Sequence, residues 1–332
     1  MQNLSIQLSL LNIYSNINKS FVSNKSDPLS LLEKHINFDS FISLSFRQAF
    51  YSHMGREHIY HLNSFIHALV FQKILAIDSD TLLINILKLS PELCDFCHFR
   101  KVPDSSQFSR FRKNYTTFIF EMFNKLVEIT EPICREIDKK KADYLIYDTT
   151  GFESYVTENN PKFFNSKLKQ AKKFPKTNDS NPYIAVYSIL PSSSNTNPEV
   201  RQSYINGHFC YALKAGILTN GLGIIRHISF FDNEFRKKHP DISTQKSDKL
   251  DIDKEISDSK SLKTVLSDFF NLHPAFSFKT FLGDSAFDSY DNYSLLINTF
   301  HFNRVYTPIN PRNPKTSENS SDIPVCPIDK TP

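Results

Sequence analysis

The spacing of apolar residues changes near residue 141, and this change constrains the fold of the 332-residue chain more than any other feature. From about residue 28 up to that point, apolar residues recur at helical intervals, as in Ile59, Leu62, Ile66 and Leu69. Beyond it, short apolar runs of strand length alternate with helical patterns. Such alternation is typical of a mixed sheet flanked by helices. We therefore predict an α+β or α/β protein, with a helical N-terminal domain followed by a mixed-sheet domain.

Two helix-start signals and an apolar stripe support the helical half. Ser90-Pro91 has the pattern of an N-cap followed by a first-turn proline. Asp104 with Gln107 three residues later resembles a capping box. The helix that follows carries a mostly aromatic stripe, which we interpret as core rather than as a platform for stacking on bases: Phe108, Phe111, Tyr115, Phe118 and Met122.

The second half predicts strands and helices in a definite order. The apolar run that begins at Tyr144 is too short for a helix and stops at Asp148, so we predict a strand that ends there. Asn220-Gly221 separates two strand-like runs, 209–218 and 222–230, which is the strongest short hairpin signal. The pattern then predicts a helix over 261–270, a strand over 278–282, a helix over 288–300 and a strand over 304–309.

Changes in polarity set the predicted domain boundaries. Residues 1–27 are an unassigned lead-in, 28–138 the helical domain and 139–310 the mixed-sheet domain. Within the mixed-sheet domain, three polar segments are predicted to be loop insertions: 159–182, 191–202 and 232–258. Residues 311–332 are rich in Pro, Ser and Asn and are predicted to be an irregular tail.

Two aspartates follow predicted strands and are the candidate catalytic and metal-binding residues, Asp148 and Asp284. If their strands are neighbours, the two carboxylates emerge together, and close carboxylates repel each other unless a cation bridges them. Mg²⁺ favours such oxygen ligands, and paired ions support phosphoryl transfer. A purely structural role for both aspartates stays open at this point. Asp148 would equally suit a turn, and Asp284 would equally suit a helix cap. Glu153 and Asp288 lie nearby, and we interpret them as solvated or supporting groups.

The charge of the chain favours nucleic acid only modestly. The net charge is +4 and the isoelectric point about 8.6, but lysines and arginines concentrate in three clusters in the central half. Two of the clusters lie at 139–141 and 167–176, and the third contains Arg236, Lys237 and Lys238. These three residues, together with Arg110, Arg112 and Lys113 beside the aromatic stripe, are the candidate DNA-binding residues, since basic runs neutralise phosphates.

The order of these segments resembles bacterial insertion-sequence transposases of the DDE class. Val102-Pro103-Asp104-Ser105 and the following Phe108-Ser109-Arg110 resemble that family's helical N-terminal domain. Asp148-Thr149-Thr150-Gly151 is similar to its first catalytic segment, and Gly207 to Lys214 to its second strand. Gly283-Asp284-Ser285-Ala286-Phe287-Asp288-Ser289 is similar to its second catalytic segment. The resemblance covers roughly residues 40–310.

The resemblance implies a helical DNA-binding domain and an RNase H-like catalytic domain using Mg²⁺ or Mn²⁺. The expected reaction is cleavage at the terminal repeats of a DNA element, followed by strand transfer into target DNA. Asp148 and Asp284 would hold the metal ions, and the partner would be double-stranded DNA. A homodimer is expected, because two DNA ends must be paired. The expected location is the bacterial cytoplasm.

The family's third acid is a glutamate on a helix beyond the last strand. Glu318 is the only glutamate after Asp284, and it lies in a Ser- and Asn-rich stretch without helical spacing. We do not assign it that role, and we expect the sequence to be C-terminally incomplete, without the last helix of the domain. The alternative is a catalytically inactive remnant that only binds DNA.

Several other functions are not supported. No apolar run reaches about 18 residues, so no membrane span is predicted, and the N-terminus has no secretion signal. Cys94-Asp95-Phe96-Cys97-His98 matches a haem-attachment pattern, but without an export signal we predict buried or idle cysteines and no haem. His208 and His227, in or beside the hairpin strands, are interpreted as packed histidines rather than catalytic groups.

Overall fold

A computed structural model describes the greater part of the chain in two compact units. The described residues are 29, 34, 37–51, 58–172, 186, 189–205, 208–242, 256 and 258–310. Residues 1–126 form the first unit and residues 127–332 the second. The lead-in at 1–27, the tail at 311–332 with Glu318, and Gly207 lie outside the described residues.

The described part of the first unit is helical. After a 3₁₀ turn at Phe38–Phe41 come α1 (Leu44–Phe50), α2 (Leu62–Ile74), α3 (Asp80–Leu89), α4 (Pro91–Phe96) and α5 (Ser105–Ile137), which continues into the second unit. Both start signals read from the sequence are confirmed. The Ser90 hydroxyl accepts the Leu93 N–H at 3.4 Å, and the Asp104 carboxylate accepts the Gln107 N–H at 3.1 Å.

An aromatic core holds these helices together. Phe108 and Phe111 on α5 are buried, with Tyr115, Phe118 and Met122 packed partly against the same cluster, so the stripe is core as predicted. The Phe65 and Phe111 rings stack with centroids 4.7 Å apart. One expectation for this unit was wrong: Ile59 precedes α2 and is 68% exposed, because the helix begins only at Leu62.

The second unit combines a sheet with helices. From α6 (Lys139–Ala142) the chain enters β1 (Tyr144–Glu153), and α7 (Pro161–Ala171) follows a 3₁₀ turn at Thr157–Asn159. Then come β2 (Arg201–Ile205), β3 (His208–Asn220), β4 (Ile225–Phe230), α8 (Asn233–Lys238) and a 3₁₀ turn at Pro240–Ile242. The remaining elements are α9 (Asp258–Leu272), β5 (Thr280–Leu282), a 3₁₀ turn at Ser285–Phe287, α10 (Tyr290–Ser294), a π-helical turn at Leu295–Thr299, and β6 (Arg304–Tyr306).

Within the described residues the strands form one six-stranded mixed sheet with β1 at its centre. The order is β2-β3-β1-β5-β6, with β4 also paired to β3. Strand β1 is antiparallel to β3 and parallel to β5, and β5 is parallel to β6. The predicted hairpin is confirmed, since β3 and β4 pair antiparallel across Asn220 and Gly221. The Asn220 side-chain oxygen accepts the N–H groups of Leu222 and Ile224, which closes the turn.

Helix α9 covers one face of the sheet. Its buried residues Leu262, Val265, Leu266 and Phe269 occur at helical spacing, as the sequence predicted for this segment. They belong to one hydrophobic cluster with Leu145 and Tyr147 of β1, Leu218 of β3 and Phe281 of β5. Alternate residues of a strand point to opposite faces. The odd-numbered residues 145 and 147 therefore mark the core face of β1.

Three loop predictions for this unit were wrong in part. The segment 159–182 contains α7, which begins with Pro161. The side chain of its N-cap, Asn160, accepts the Lys162 N–H at 2.9 Å. The segment 191–202 contains the start of β2, and 232–258 contains α8. Helix α8 is only six residues long and consists largely of charged residues, so it offers no periodicity that would separate it from a loop. Of the helices described, none is sufficiently long and apolar to cross a membrane.

Candidate active site

Asp148 lies in the middle of the central strand. It pairs with Ile217 of β3, and β1 continues for five residues beyond it to Glu153. The prediction that the strand ends at Asp148 was therefore wrong. Thr149, Thr150 and Gly151 extend the antiparallel pairing with β3 without an apolar pattern that the sequence could reveal. The side chain of Asp148 is exposed, and its Oδ1 accepts the N–H of Thr149 at 2.7 Å.

Asp284 follows β5 and begins the next 3₁₀ turn. Its Oδ1 accepts the Ala286 N–H at 2.9 Å, so the capping role considered for Asp284 is present. The residue is exposed. Gly283 holds the chain close to the core at this point, because a Cβ atom there would lie 2.9 Å from the Phe287 ring and 3.0 Å from the Phe281 ring. The Gly283 N–H also donates to the Tyr306 carbonyl at 3.1 Å, which ties the segment to β6.

Asp148 lies on β1, and Asp284 lies two residues beyond the end of the adjacent parallel strand β5. In the parallel pairing of β1 with β5, Ile146 lies opposite Leu282. Asp148 and Asp284 each follow that pair by two residues. Neighbouring strands lie about 4.8 Å apart, and residues separated by two share a face. Asp148 thus belongs to the face of the sheet opposite to the one covered by α9, and Asp284 begins the 3₁₀ turn just beyond the end of β5.

The two other nearby acids differ from this pair. Asp288 is built into the local structure, since its carboxylate accepts the Tyr293 hydroxyl at 3.0 Å and the Asn310 N–H at 2.7 Å. Glu153 lies at the end of β1, where its carboxylate is 3.4 Å from Nε2 of His208. It is five residues from Asp148, an odd interval, and therefore belongs to the opposite face of the strand. Neither residue joins the Asp148–Asp284 pair.

A buried ion pair beneath β1 was missed in the sequence. Lys214 of β3 contacts the carboxylate of Asp258, the first residue of α9, and both side chains are largely buried. The hydroxyl of Thr149 donates to the same carboxylate at 2.7 Å, and the Lys214 ammonium also donates to the Ile256 carbonyl at 2.9 Å. Thr149 is thus held from below, next to Asp148. Asp258 was assigned to a charged loop, although an acidic residue at the start of an apolar-periodic segment is a helix-start signal.

The predicted DNA-binding residues of the first unit have different surroundings on α5. Arg112 forms an ion pair with Asp80, using one nitrogen against both carboxylate oxygens. Arg110 donates to the Ser106 hydroxyl at 2.8 Å and is exposed, as is Lys113. Arg110 and Lys113 therefore present charge at the surface, whereas the charge of Arg112 is balanced by Asp80.

The predicted DNA-binding residues of the second unit lie on α8. Lys237 and Lys238 are exposed, and Lys238 pairs with Glu234 at 2.8 Å. Arg236 is half-buried, and the pKa of its guanidinium is lowered to about 10 by burial and then by the neighbouring charge of Arg201. Lys237 is thus the residue of this cluster best placed to meet a phosphate.

The cysteine and histidine interpretations can now be compared with their environments. Cys97 is buried, and burial raises the pKa of its thiol to about 12, while the Cys94 thiol donates to the Phe99 carbonyl at 3.2 Å. His227 is packed as predicted, with Nε2 2.9 Å from the Ser229 hydroxyl. The same interpretation of His208 was wrong, because 55% of its side chain is exposed at the start of β3.

Comparison with known proteins bears on the first unit. Residues 17–114 match a family described as Transposase domain (DUF772). The match covers less than a third of the chain and supports a transposase, a class of protein that interacts with DNA. The search among curated proteins returned no match, and neither did the search among solved structures.

Proposed function

We propose that this protein is a DDE-type transposase whose second unit is an RNase H-like catalytic domain with Asp148 and Asp284 as its first two acids. The single observation that carries the proposal is that each aspartate follows, by two residues, the last pair of two adjacent parallel strands, Ile146 with Leu282. A second line of support is independent of that geometry, because the match to a transposase domain lies in a different part of the chain.

The residues at this place fit a magnesium or manganese ion. Both side chains are exposed carboxylates, one on β1 and one just beyond β5. Hard cations of this kind prefer oxygen ligands and are often held by one or two carboxylates together with phosphate and water. When bound, the ion would lower the pKa of an attacking water and neutralise charge on the phosphodiester.

The protein's own residues supply position rather than chemistry. Asp148 is fixed by the pairing of β1 with β3, and Thr149 beside it is anchored by Asp258. Asp284 is held in place by its own cap on the 3₁₀ turn. It is also held by the preceding Gly283, where a side chain would crowd the Phe281 and Phe287 rings. The carboxylates are thus presented on rigid backbone, which favours reactions that depend on the precise placement of a phosphate.

DNA would be bound through exposed basic residues of both units. Arg110 and Lys113 on α5, and Lys237 and Lys238 on α8, are the exposed members of the predicted set. Contacts of this kind with phosphates give affinity without sequence readout and weaken as salt rises. The proposed partner is double-stranded DNA at the ends of the element and at the target, and the proposed assembly is a homodimer that pairs two ends.

The test is cleavage of supercoiled plasmid DNA by the full chain in Mg²⁺ or Mn²⁺. We expect nicked circles with the parent protein, and at least about a 100-fold lower rate with Asp148→Asn or Asp284→Asn, because a metal ligand contributes several kcal/mol to the transition state. Asp291→Asn is the matched control, an exposed aspartate in the first turn of α10 that should cut at the parent rate.

Calorimetric titration with Mn²⁺ separates metal binding from catalysis. The parent and Asp291→Asn should bind the ion, while Asp148→Asn should bind it more weakly. Cleavage that survives either active-site substitution would overturn the assignment. Salt-sensitive DNA binding without cleavage in either metal would instead favour the DNA-binding remnant that the sequence left as the alternative.

A further inference from the structure

A second cluster of metal-ligand types lies at the far end of β1. The carboxylate of Glu153, a ring nitrogen of His208 and the thiol of Cys210 all lie within 4.8 Å of one another. We propose that these three side chains bind a zinc ion, at a site separate from the Asp148–Asp284 pair.

The backbone places the three groups on the same face of the sheet. In the antiparallel pairing of β1 with β3, Glu153 lies opposite Ala212. Cys210 and His208 precede Ala212 by two and four residues, and residues at intervals of two share a face. The arrangement is therefore a consequence of strand register. It does not depend on a flexible loop.

The chemistry of the set points to zinc. One sulfur, one imidazole nitrogen and one carboxylate oxygen are the ligand types that Zn²⁺ takes, whereas Mg²⁺ and Ca²⁺ prefer oxygen alone. The carboxylate and the imidazole are already 3.4 Å apart, and about half of each side chain is exposed. An exposed contact of this kind contributes little by itself. The thiol of Cys210 distinguishes the cluster from an ordinary surface pair. Cys210 is only 3% exposed, and its sulfur lies within 4.8 Å of the other two ligand atoms.

A cavity of about 380 Å³ adjoins the cluster and leaves room for a fourth ligand. Two neighbouring polar side chains that line it are already engaged. Glu158 accepts from the Ser194 hydroxyl and the Asn195 N–H, and Asn159 bonds to the backbone of Ser154 and Tyr211. Water is therefore the fourth ligand we assign, as in zinc sites with three protein ligands.

The site is distinct from the proposed catalytic pair. Five residues of extended strand separate Glu153 from Asp148, about 16 Å, and the odd interval places them on opposite faces. The inference does not rest on the proposed function. A protein that cuts no DNA would still bind zinc here, and a cleaving protein without zinc would refute only this proposal.

The test is binding of Zn²⁺ and Co²⁺ to the purified full chain. We expect one zinc ion at this site by competition with a chromophoric chelator, and a cobalt form with thiolate-to-metal charge-transfer absorption. Cys210→Ser and His208→Gln should each weaken zinc binding by more than about 100-fold, beyond the 10–100-fold typical of residues that only orient a ligand. Cys210→Ser should also abolish the charge-transfer band. Circular dichroism establishes that each variant is folded, and Glu153→Gln, at an exposed position, gives a third variant should the buried thiol prove intolerant of change.

Two controls locate the ion. Cys94→Ala removes the half-buried thiol of the Cys94–His98 segment, which also combines cysteine and histidine, and should leave zinc binding unchanged. Asp291→Asn, at an exposed aspartate outside both proposed metal sites, should leave it unchanged as well. Absence of zinc binding in the parent, retention of full affinity in folded Cys210→Ser, or loss of affinity in Cys94→Ala would each overturn the proposal.

Discussion

Acidic groups next to the two faces of strand β1 have opposite environments. On the core face, Asp258 is buried, and its charge is balanced by Lys214 and a hydrogen bond from Thr149. On the other face, Asp148 is exposed, and Asp284 is exposed just beyond the end of the neighbouring strand β5. The first arrangement is what folding requires of a buried charge, because an unpaired carboxylate in the interior is costly. The second is not required by folding.

This difference separates structural from functional acids more clearly than residue type does. Asp258 contributes to stability through the partners that surround it, and removing it leaves Lys214 without its counter-charge. Asp148 accepts the Thr149 N–H, and Asp284 accepts the Ala286 N–H. A substitution should therefore affect the unfolding free energy on one face and activity on the other.

The largest stability effect is expected for Asp258→Asn. The variant leaves the Lys214 ammonium buried beside a neutral amide, and breaking a buried ion pair in this way costs about 3–5 kcal/mol. Urea denaturation followed by circular dichroism measures the loss. The double variant Lys214→Met/Asp258→Leu removes both charges and should be less destabilised than Asp258→Asn. A loss below about 1 kcal/mol in the single variant would mean that the pair is not buried in solution.

The next largest effect is a dependence of stability on pH through His227. Burial, and then the nearby His273, lower the pKa of this imidazole from about 6.5 to about 4. The unfolded chain therefore takes up a proton between these values and the folded chain does not, so stability is complete above pH 6.5 and falls as the pH drops towards 4. A shift of this size corresponds to about 3 kcal/mol.

Denaturation of the parent and of His227→Gln across pH 4–7 isolates this contribution. The parent should lose more stability than the variant between pH 6.5 and pH 4, because only the parent carries an imidazole at that position. Parallel curves for the two proteins would show that His227 is not buried as a neutral group.

A smaller effect is expected for Tyr147→Phe on the core face. The Tyr147 hydroxyl is 2.7 Å from that of Ser261, which itself donates to the Asp258 carbonyl at 2.7 Å. Loss of one buried hydrogen bond costs about 1 kcal/mol. Tyr155→Phe is the control, since Tyr155 is fully exposed just beyond β1 and its hydroxyl should contribute nothing measurable to urea denaturation. Equal midpoints for the two variants would contradict the bridge between β1 and α9.

Local signals predicted much of this fold, and non-local pairing explains what they missed. The caps at Ser90 and Asp104, the aromatic stripe from Phe108 and the hairpin at Asn220-Gly221 depend on residues a few positions apart. The extension of β1 beyond Asp148 depends instead on pairing with β3, more than sixty residues later. The polar and small residues that follow Asp148 become strand only because β3 supplies that pairing.

The same distinction applies to the candidate sites. Asp148 and Asp284 were identified because each follows an apolar run in a recognisable segment, and those two runs lie on the adjacent strands β1 and β5. Glu153, His208 and Cys210 carry no such pattern, because their proximity depends on the register of β1 against β3. The spacing of His208 and Cys210 on one strand was the available signal, but His208 was interpreted only as a packed histidine.

The smallest stability effect is expected at the two proposed catalytic residues, Asp148 and Asp284. Asp148→Asn at an exposed strand position should change the unfolding free energy by less than about 0.5 kcal/mol, the range for surface substitutions. Asp284→Asn should behave alike, because asparagine caps as well as aspartate, whereas Asp284→Ala should cost about 1 kcal/mol through loss of the cap. Urea denaturation of the three variants measures these values. A loss above about 2 kcal/mol in Asp148→Asn would mean that the carboxylate serves folding. A neutral result combined with loss of cleavage would instead assign Asp148 to the reaction, because nothing in the fold would then require its charge.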